Sequence, residues 1–160
     1  MTSSPACDEV RVVPLDDATA LLLTAANSAW AAAVPVWQES MRTGRSTLLV
    51  ALRDDAPVGV AQLVHREPPE ICNVGVPEKQ RGQGIGTALM REAERQAQPA
   101  GRLQLGVGVD NPRARRLYER LGYRLLGEQV TTTYEYVDAG GVGRSVTETD
   151  EIMEKDLTTR

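Results

Sequence analysis

Gly82, Gly84 and Gly86 alternate through the segment Arg81-Gly82-Gln83-Gly84-Ile85-Gly86-Thr87, between an apolar run and an amphipathic stretch. Glycines in such a loop let backbone N–H groups turn toward one point and approach a ligand with no Cβ in the way. If the loop opens a helix, an anion held there also meets the positive end of the helix dipole, and a pyrophosphate is the natural occupant. Two other phosphate-binding patterns do not fit. A Walker loop needs Gly-Lys-Ser/Thr, whereas Gly86 is followed by Thr87-Ala88. A dinucleotide fingerprint needs Gly-x-Gly-x-x-Gly within an early βαβ unit, which is also missing. Taken alone, the alternation also suits a plain turn, though less well.

A second segment, Asp110–Tyr123, carries its own punctuation. Asn111 suits a helix N-cap, Pro112 the first helical position and Gly122 the stop. Ala114, Leu117, Tyr118 and Leu121 share one face, so Tyr118 points inward or along a cleft. Read together, the two segments resemble the GNAT N-acetyltransferase superfamily. Its fingerprint is Arg/Gln-x-x-Gly-x-Gly/Ala after a strand, then Asn-x-x-Ala-x-x-Leu-Tyr-x-x-x-Gly-Phe/Tyr. Arg81, Gly84 and Gly86 match the first part; Asn111, Ala114, Leu117, Tyr118, Gly122 and Tyr123 match the second. The resemblance runs from Val10 to Leu157, although the first forty residues match only as a strand followed by helices.

The resemblance implies a mixed α/β fold: a mostly antiparallel central sheet with a splayed parallel pair and flanking helices. The strands ending at Val76 and Val109 would diverge around the pantetheine arm of acetyl-CoA, with the main chain of Val74, Gly75 and Val76 pairing its amides. Arg81, Gly82, Gln83, Gly84, Ile85, Gly86 and Thr87 would hold the diphosphate. Asn111, Ala114 and Tyr118 would complete the donor site. One departure is that Gly106 and Gly108 strip the side chains from one face of the strand Leu103–Val109.

Acetyl transfer to an amine requires an unprotonated nitrogen, a stabilised oxyanion and a proton for the departing thiolate. An alkyl ammonium has a pKa near ~10.4, so a base is useful. Glu70 precedes the strand into the loop, where some enzymes of this kind carry a catalytic glutamate; it equally suits a turn-closing carboxylate after Pro68-Pro69. An ordered water is the alternative base, and His65 a weaker one. Tyr118 is the general acid that the resemblance implies, its phenol near pKa ~10 facing a thiol near ~8.5. Trp30, Trp37, Tyr134 and Glu148 are candidates to line the acceptor, because aromatics with carboxylates suit a cationic amine. That acceptor is expected to be a small molecule such as an antibiotic, polyamine or amino-acid derivative. A protein N-terminus or lysine is the alternative, and a non-catalytic acyl-CoA sensor is a third reading.

The elements that position these residues follow from pattern. Strands are expected at Val10–Pro14, Thr47–Arg53, Val58–Arg66 and Ile71–Val76. Asp16 or Asp17 should cap a helix that runs through Trp30, Pro35 should end it or start another, and a second helical piece should cover Val36–Thr43. Next come a helix over Gly84–Gln98, a strand at Leu103–Val109, a helix over Pro112–Leu121 and a C-terminal hairpin. At 160 residues the chain suits one domain over 9–160 after a disordered tail at 1–8. With no Phe, its core must be Leu, Val and Ala. A net charge of -4 argues against a nucleic-acid partner. No long apolar run marks a membrane span, and two distant cysteines suit reduced thiols in a cytoplasm. No metal-ligand spacing is present. Monomer and homodimer both stay open.

Overall fold

A computed structural model describes residues 9–158, so the tail expected at 1–8 lies outside the described residues. The fold is mixed α/β, as expected. The elements run β1 (Arg11–Pro14), α1 (Asp17–Ala26), α2 (Ser28–Arg42), β2 (Ser46–Arg53), β3 (Ala56–Val64), β4 (Glu70–Gly75), α3 (Ile85–Ala97), β5 (Arg102–Gly108), α4 (Pro112–Arg120), β6 (Arg124–Val137) and β7 (Gly143–Asp156). They form two compact units, one running to Leu103 and resumed at Leu157, the other spanning Gln104–Asp156.

In the first unit the strand order is β1-β2-β3-β4, antiparallel throughout. β2 and β3 are apolar on both faces, the pattern of strands covered on both sides. Leu48, Val50 and Val60 join a cluster with Leu23, Trp30, Val34 and Trp37 from α1 and α2. Leu49, Ala51 and Ala61 alternate with these and are fully buried in turn. α3 buries Ile85, Leu89, Met90, Ala93 and Ala97, the stripe its amphipathic pattern predicts.

Two boundaries differ from the sequence expectation. Asp16 does cap α1, in a capping box with Thr19, but the helix ends at Ala26 because Asn27 is extended and its side chain accepts the N–H of Trp30 to start α2. α2 then runs through Pro35. Pro35 removes the hydrogen bond to the Ala31 carbonyl, at a cost of ~3 kcal/mol. Trp30, Val34 and Trp37 lie on one buried stripe, and each indole removes roughly 150–250 Å² from water, on the order of 4–6 kcal/mol. Tertiary burial therefore outweighs the local break.

In the second unit the order is β5-β7-β6. β6 and β7, 14 residues each, form a hairpin closed by Asp138, whose carboxylate accepts the N–H groups of Gly140 and Val142. Alternation puts Val130, Thr132, Tyr134, Glu148 and Asp150 on one face and Thr131, Thr149, Glu151 and Met153 on the other. α4 is tied to that second face by the ion pair of Arg115 with Glu151 at 3.1 Å.

Candidate functional site

The residues from Glu70 through Thr87 form a specific local structure in the first unit. β3 and β4 keep register from Val64↔Glu70 to Gln62↔Cys72, but Val60 then faces Gly75. Two steps on β3 thus meet three on β4, which is a one-residue bulge within Asn73–Val74. Asn73 sits at φ 51°, in the left-handed region that asparagine tolerates better than most side chains. A bulge leaves a residue without a place in the ladder, here within Asn73–Val74.

Beyond Gly75 the chain turns through Glu78–Gln80, and the Arg81 guanidinium donates to the Val76 carbonyl at 3.1 Å, fixing where the loop begins. Arg53 on β2 donates to the Gln83 carboxamide and pins its middle. Gly84 is the N-cap of α3 at φ 80°, with no side chain capping the helix. The first-turn N–H groups of Ile85, Gly86 and Thr87 therefore lack side-chain partners and point to one spot. A Cβ at Gly82 or Gly84 would meet nothing within 4 Å, so the space in front of the loop is open to a ligand. Uncapped donors, a helix dipole and an open approach fit a diphosphate.

Glu70 is the first residue of β4, and its carboxylate is held in an ion pair by Arg66. His65 is exposed, with Nε2 hydrogen-bonded to the Thr47 hydroxyl at 2.8 Å. Trp30 and Trp37 are each 8% exposed within the core cluster, which leaves little of either ring for an acceptor. An open cleft of ≈ 630 Å³ lies nearby, lined by Pro35, Val36, Glu39, Ser46, Gln62 and Val64 among others.

The second unit carries the remaining candidates. The Asn111 side chain accepts the Ala114 N–H at 3.2 Å, with Pro112 at the start of α4 and Gly122 at φ 99° after its end. Tyr118 is the buried residue of α4, 9% exposed, its ring edge-on to Tyr123 at 6.1 Å. Burial pushes its phenol pKa above the ordinary tyrosine value, so the proton stays on at neutral pH. Tyr134 and Glu148, named separately in sequence, are in contact: the phenol donates to the carboxylate at 3.1 Å.

Sequence reasoning left three features of these surfaces unread. The glycines of β5 do not face an empty wall, because Asp150 of β7 fills that space; its Oδ2 lies 3.3 Å from where a Gly106 Cβ would stand. Burial and the nearby Glu148 and Asp110 carboxylates push the Asp150 pKa up. Gln62 and Asn73 hydrogen-bond at 2.8 Å at the bulge. The available signal was Asn73 itself, a residue depleted in strands standing inside an apolar one.

The description "Acetyltransferase (GNAT) family" matches residues 18–123. The chain is 35% identical over 118 residues to the mycothiol acetyltransferase of Nocardia farcinica, covering 70% of this chain and 38% of that protein. It spans about a third of the length of the curated relatives it matches. Among solved structures, an IAA acetyltransferase from Bacillus cereus shares the fold at TM-score 0.62 and 21% identity, covering 93% of this chain and all of that one. A GNAT-family acetyltransferase from Elizabethkingia anophelis, solved with acetyl-CoA bound, shares it at TM-score 0.61 and 20% identity, covering 94% of this chain and 99% of that one.

Proposed function

We propose, because the chain belongs to the acetyltransferase (GNAT) family, that it transfers the acetyl group of acetyl-CoA to a primary amine of a small molecule. The observation that carries this reading is the pairing of the β4 bulge with the uncapped start of α3 in one unit. Together they offer a bulged strand edge and a diphosphate cradle; a plain nucleotide uses only the cradle, whereas a pantetheine carrier uses both.

In this reading Arg81–Thr87 hold the diphosphate, the main chain of Val74, Gly75 and Val76 pairs the pantetheine amides, and Asn111 and Ala114 form the α4 start that the donor also meets. The amine nitrogen forms its bond to the thioester carbonyl carbon, and a backbone N–H of the bulged strand stabilises the oxyanion, a donor worth ~10²-fold or more. As the tetrahedral intermediate collapses, the C–S bond breaks and the Tyr118 hydroxyl gives its proton to sulfur. From an ordinary phenol of pKa ~10 to a thiolate of ~8.5 that step is uphill by ~2 kcal/mol. Tyr118 is therefore useful only if held in place, which its burial on α4 provides. Glu70, released from Arg66, or a water beside it takes the ammonium proton.

A small acceptor is favoured over a protein amine by the cleft of ≈ 630 Å³ on the first unit, which is the size of small-ligand sites, and by Tyr134 and Glu148 on the second, an aromatic and a carboxylate that suit a cation. A cytoplasmic setting suits the free Cys72 thiol. The test is thermal unfolding with acetyl-CoA, NAD and ATP, followed by thiol release with a pooled amine library. A hundredfold excess of a true ligand over Kd adds about 2.7 kcal/mol. Stabilisation by acetyl-CoA alone, with amine-dependent thiol release, is expected. Stabilisation by NAD instead overturns the reading of the loop, and tight acetyl-CoA binding with no acetylated amine leaves a sensor.

A further inference from the structure

The extra residue of β4 does not stand by itself. Gln62 on β3 forms the last regular pair before the register breaks, opposite Cys72. Its carboxamide oxygen accepts the Asn73 side-chain N–H at 2.8 Å, and its carboxamide nitrogen donates to the Ser46 hydroxyl at 3.0 Å. Ser46 is 4% exposed and shares a 2.7 Å hydrogen bond with Ser40 on α2. The Gln62 amide thus serves both neighbours at once, its oxygen accepting from Asn73 and its nitrogen donating to Ser46. The Cys72 thiol also leans on the Gln62 oxygen at 3.8 Å.

Asn73 occupies a backbone region that costs a non-glycine residue on the order of 1–3 kcal/mol unless its surroundings hold it there. The only side-chain anchors of Asn73 among the described contacts are Gln62 and the Cys72 sulfur, the latter at a long 3.7 Å. An extended Asn73 would return β4 to regular pairing with β3 and take back the main-chain groups that the bulge frees.

We propose that Gln62 is a positioning residue for acetyl transfer: through Asn73 it holds the β4 bulge open, and through Ser46 and Ser40 it ties that bulge to α2. The proposal rests on the reading that the bulged strand meets the acyl donor. In this role Gln62 acts through Asn73, separately from its place on the wall of the cleft. It sets whether the Val74 amide is free, so it governs donor binding and oxyanion stabilisation together.

A double-mutant cycle separates this from an ordinary loss of packing. Asn73→Gly relieves the left-handed strain at that position, so the bulge no longer needs the Gln62 tie. Calorimetry with acetyl-CoA should show Gln62→Leu losing roughly tenfold in affinity in the native background and less than about twofold in the Asn73→Gly background. Thermal stability should fall in both backgrounds through the lost Ser46 contact, and further in the native background, which also loses the Asn73 hydrogen bond. Hydrogen exchange of the Val74 and Gly75 amides without ligand gives the second readout, with Gln62→Leu slowing it and the double variant restoring it. Equal losses of affinity in both backgrounds, or unchanged exchange in Gln62→Leu, overturn the proposal. If the native protein binds no acetyl-CoA, the functional reading fails, and the exchange cycle still decides whether Gln62 holds the bulge.

Discussion

A Cβ on Gly59 would stand 2.8 Å from Cγ2 of Ile85. It would also lie 3.2 Å from the Leu89 side chain and 3.3 Å from the Gly75 carbonyl. Gly59 of β3 therefore lets the first turn of α3 rest on the strand, and that turn carries the uncapped N–H groups of the glycine loop. The φ of Gly59 is not in the left-handed region, so the constraint is space and not conformation.

Gly59→Val should therefore push the start of α3 away from β3. Overpacking of a tight core contact costs typically 1–3 kcal/mol, so the variant should still fold. Acetyl-CoA affinity should fall further than stability does, because the displaced N–H groups are the ones proposed to hold the diphosphate. Parallel calorimetry and thermal unfolding check it; a stability loss with native affinity would detach the loop from this contact.

Gly84 poses the opposite problem. A Cβ there meets nothing, but φ is 80°, where an L side chain is strained by roughly 1–2 kcal/mol. Gly84→Val should lose that much stability at most and much more donor affinity, since the added methyl groups occupy the space in front of the helix start. Unchanged affinity would make the loop a structural turn.

The local structure of the glycine loop and of the α4 start was legible in the sequence because it depends on glycine spacing and on caps that act over three or four residues, as with Asn111 and Ala114. The core stripe of α3 was legible for the same reason. What was not legible depends on contacts distant in sequence. Nothing local reveals that Trp30 and Trp37 bury enough surface to carry α2 through Pro35, or that Gln62 meets Asn73 eleven residues later. Nor could periodicity show Asp150 lying over Gly106, because that contact is made between two strands and set by their register.

Tyr118 can be separated from a core aromatic by removing its hydroxyl alone. Tyr118→Phe keeps the ring against Tyr123 and should lower kcat by roughly 10²–10⁴-fold with little change in acetyl-CoA affinity. Its pH dependence follows from the direction of the shift. Burial raises the folded-state pKa above 10.0, so the protonated phenol and the stability it contributes are intact below pH 10 and lost as pH rises through the raised value. The kcat of the native protein should show no decline due to this group below pH 10, and the limb above it should vanish in Tyr118→Phe. A native-like kcat with a lowered Tm would return Tyr118 to the core.

Asp150 is a carboxylate held at a cost. Its folded-state pKa is raised, first by burial and then by Glu148 and Asp110. A raised acid pKa means that the folded state favours the protonated form, so stability is greatest below pH 3.8 on this group's account and is lost as pH climbs through the folded value. At neutral pH the ionised Asp150 therefore works against folding. Asp150→Asn keeps the shape over Gly106 and Gly108 and removes the charge, so the variant should unfold at a higher temperature than the native protein at pH 7, with the gap closing as pH approaches 3. A cationic amine bound beside Glu148 would supply the missing countercharge, and acceptor amines should then raise the Tm of the native protein more than that of Asp150→Asn. Thermal unfolding across pH 3 to 8, with and without a diamine, measures both. A lower Tm for Asp150→Asn at pH 7 would show that the carboxylate has a stabilising partner and that its charge is not a strain on the fold.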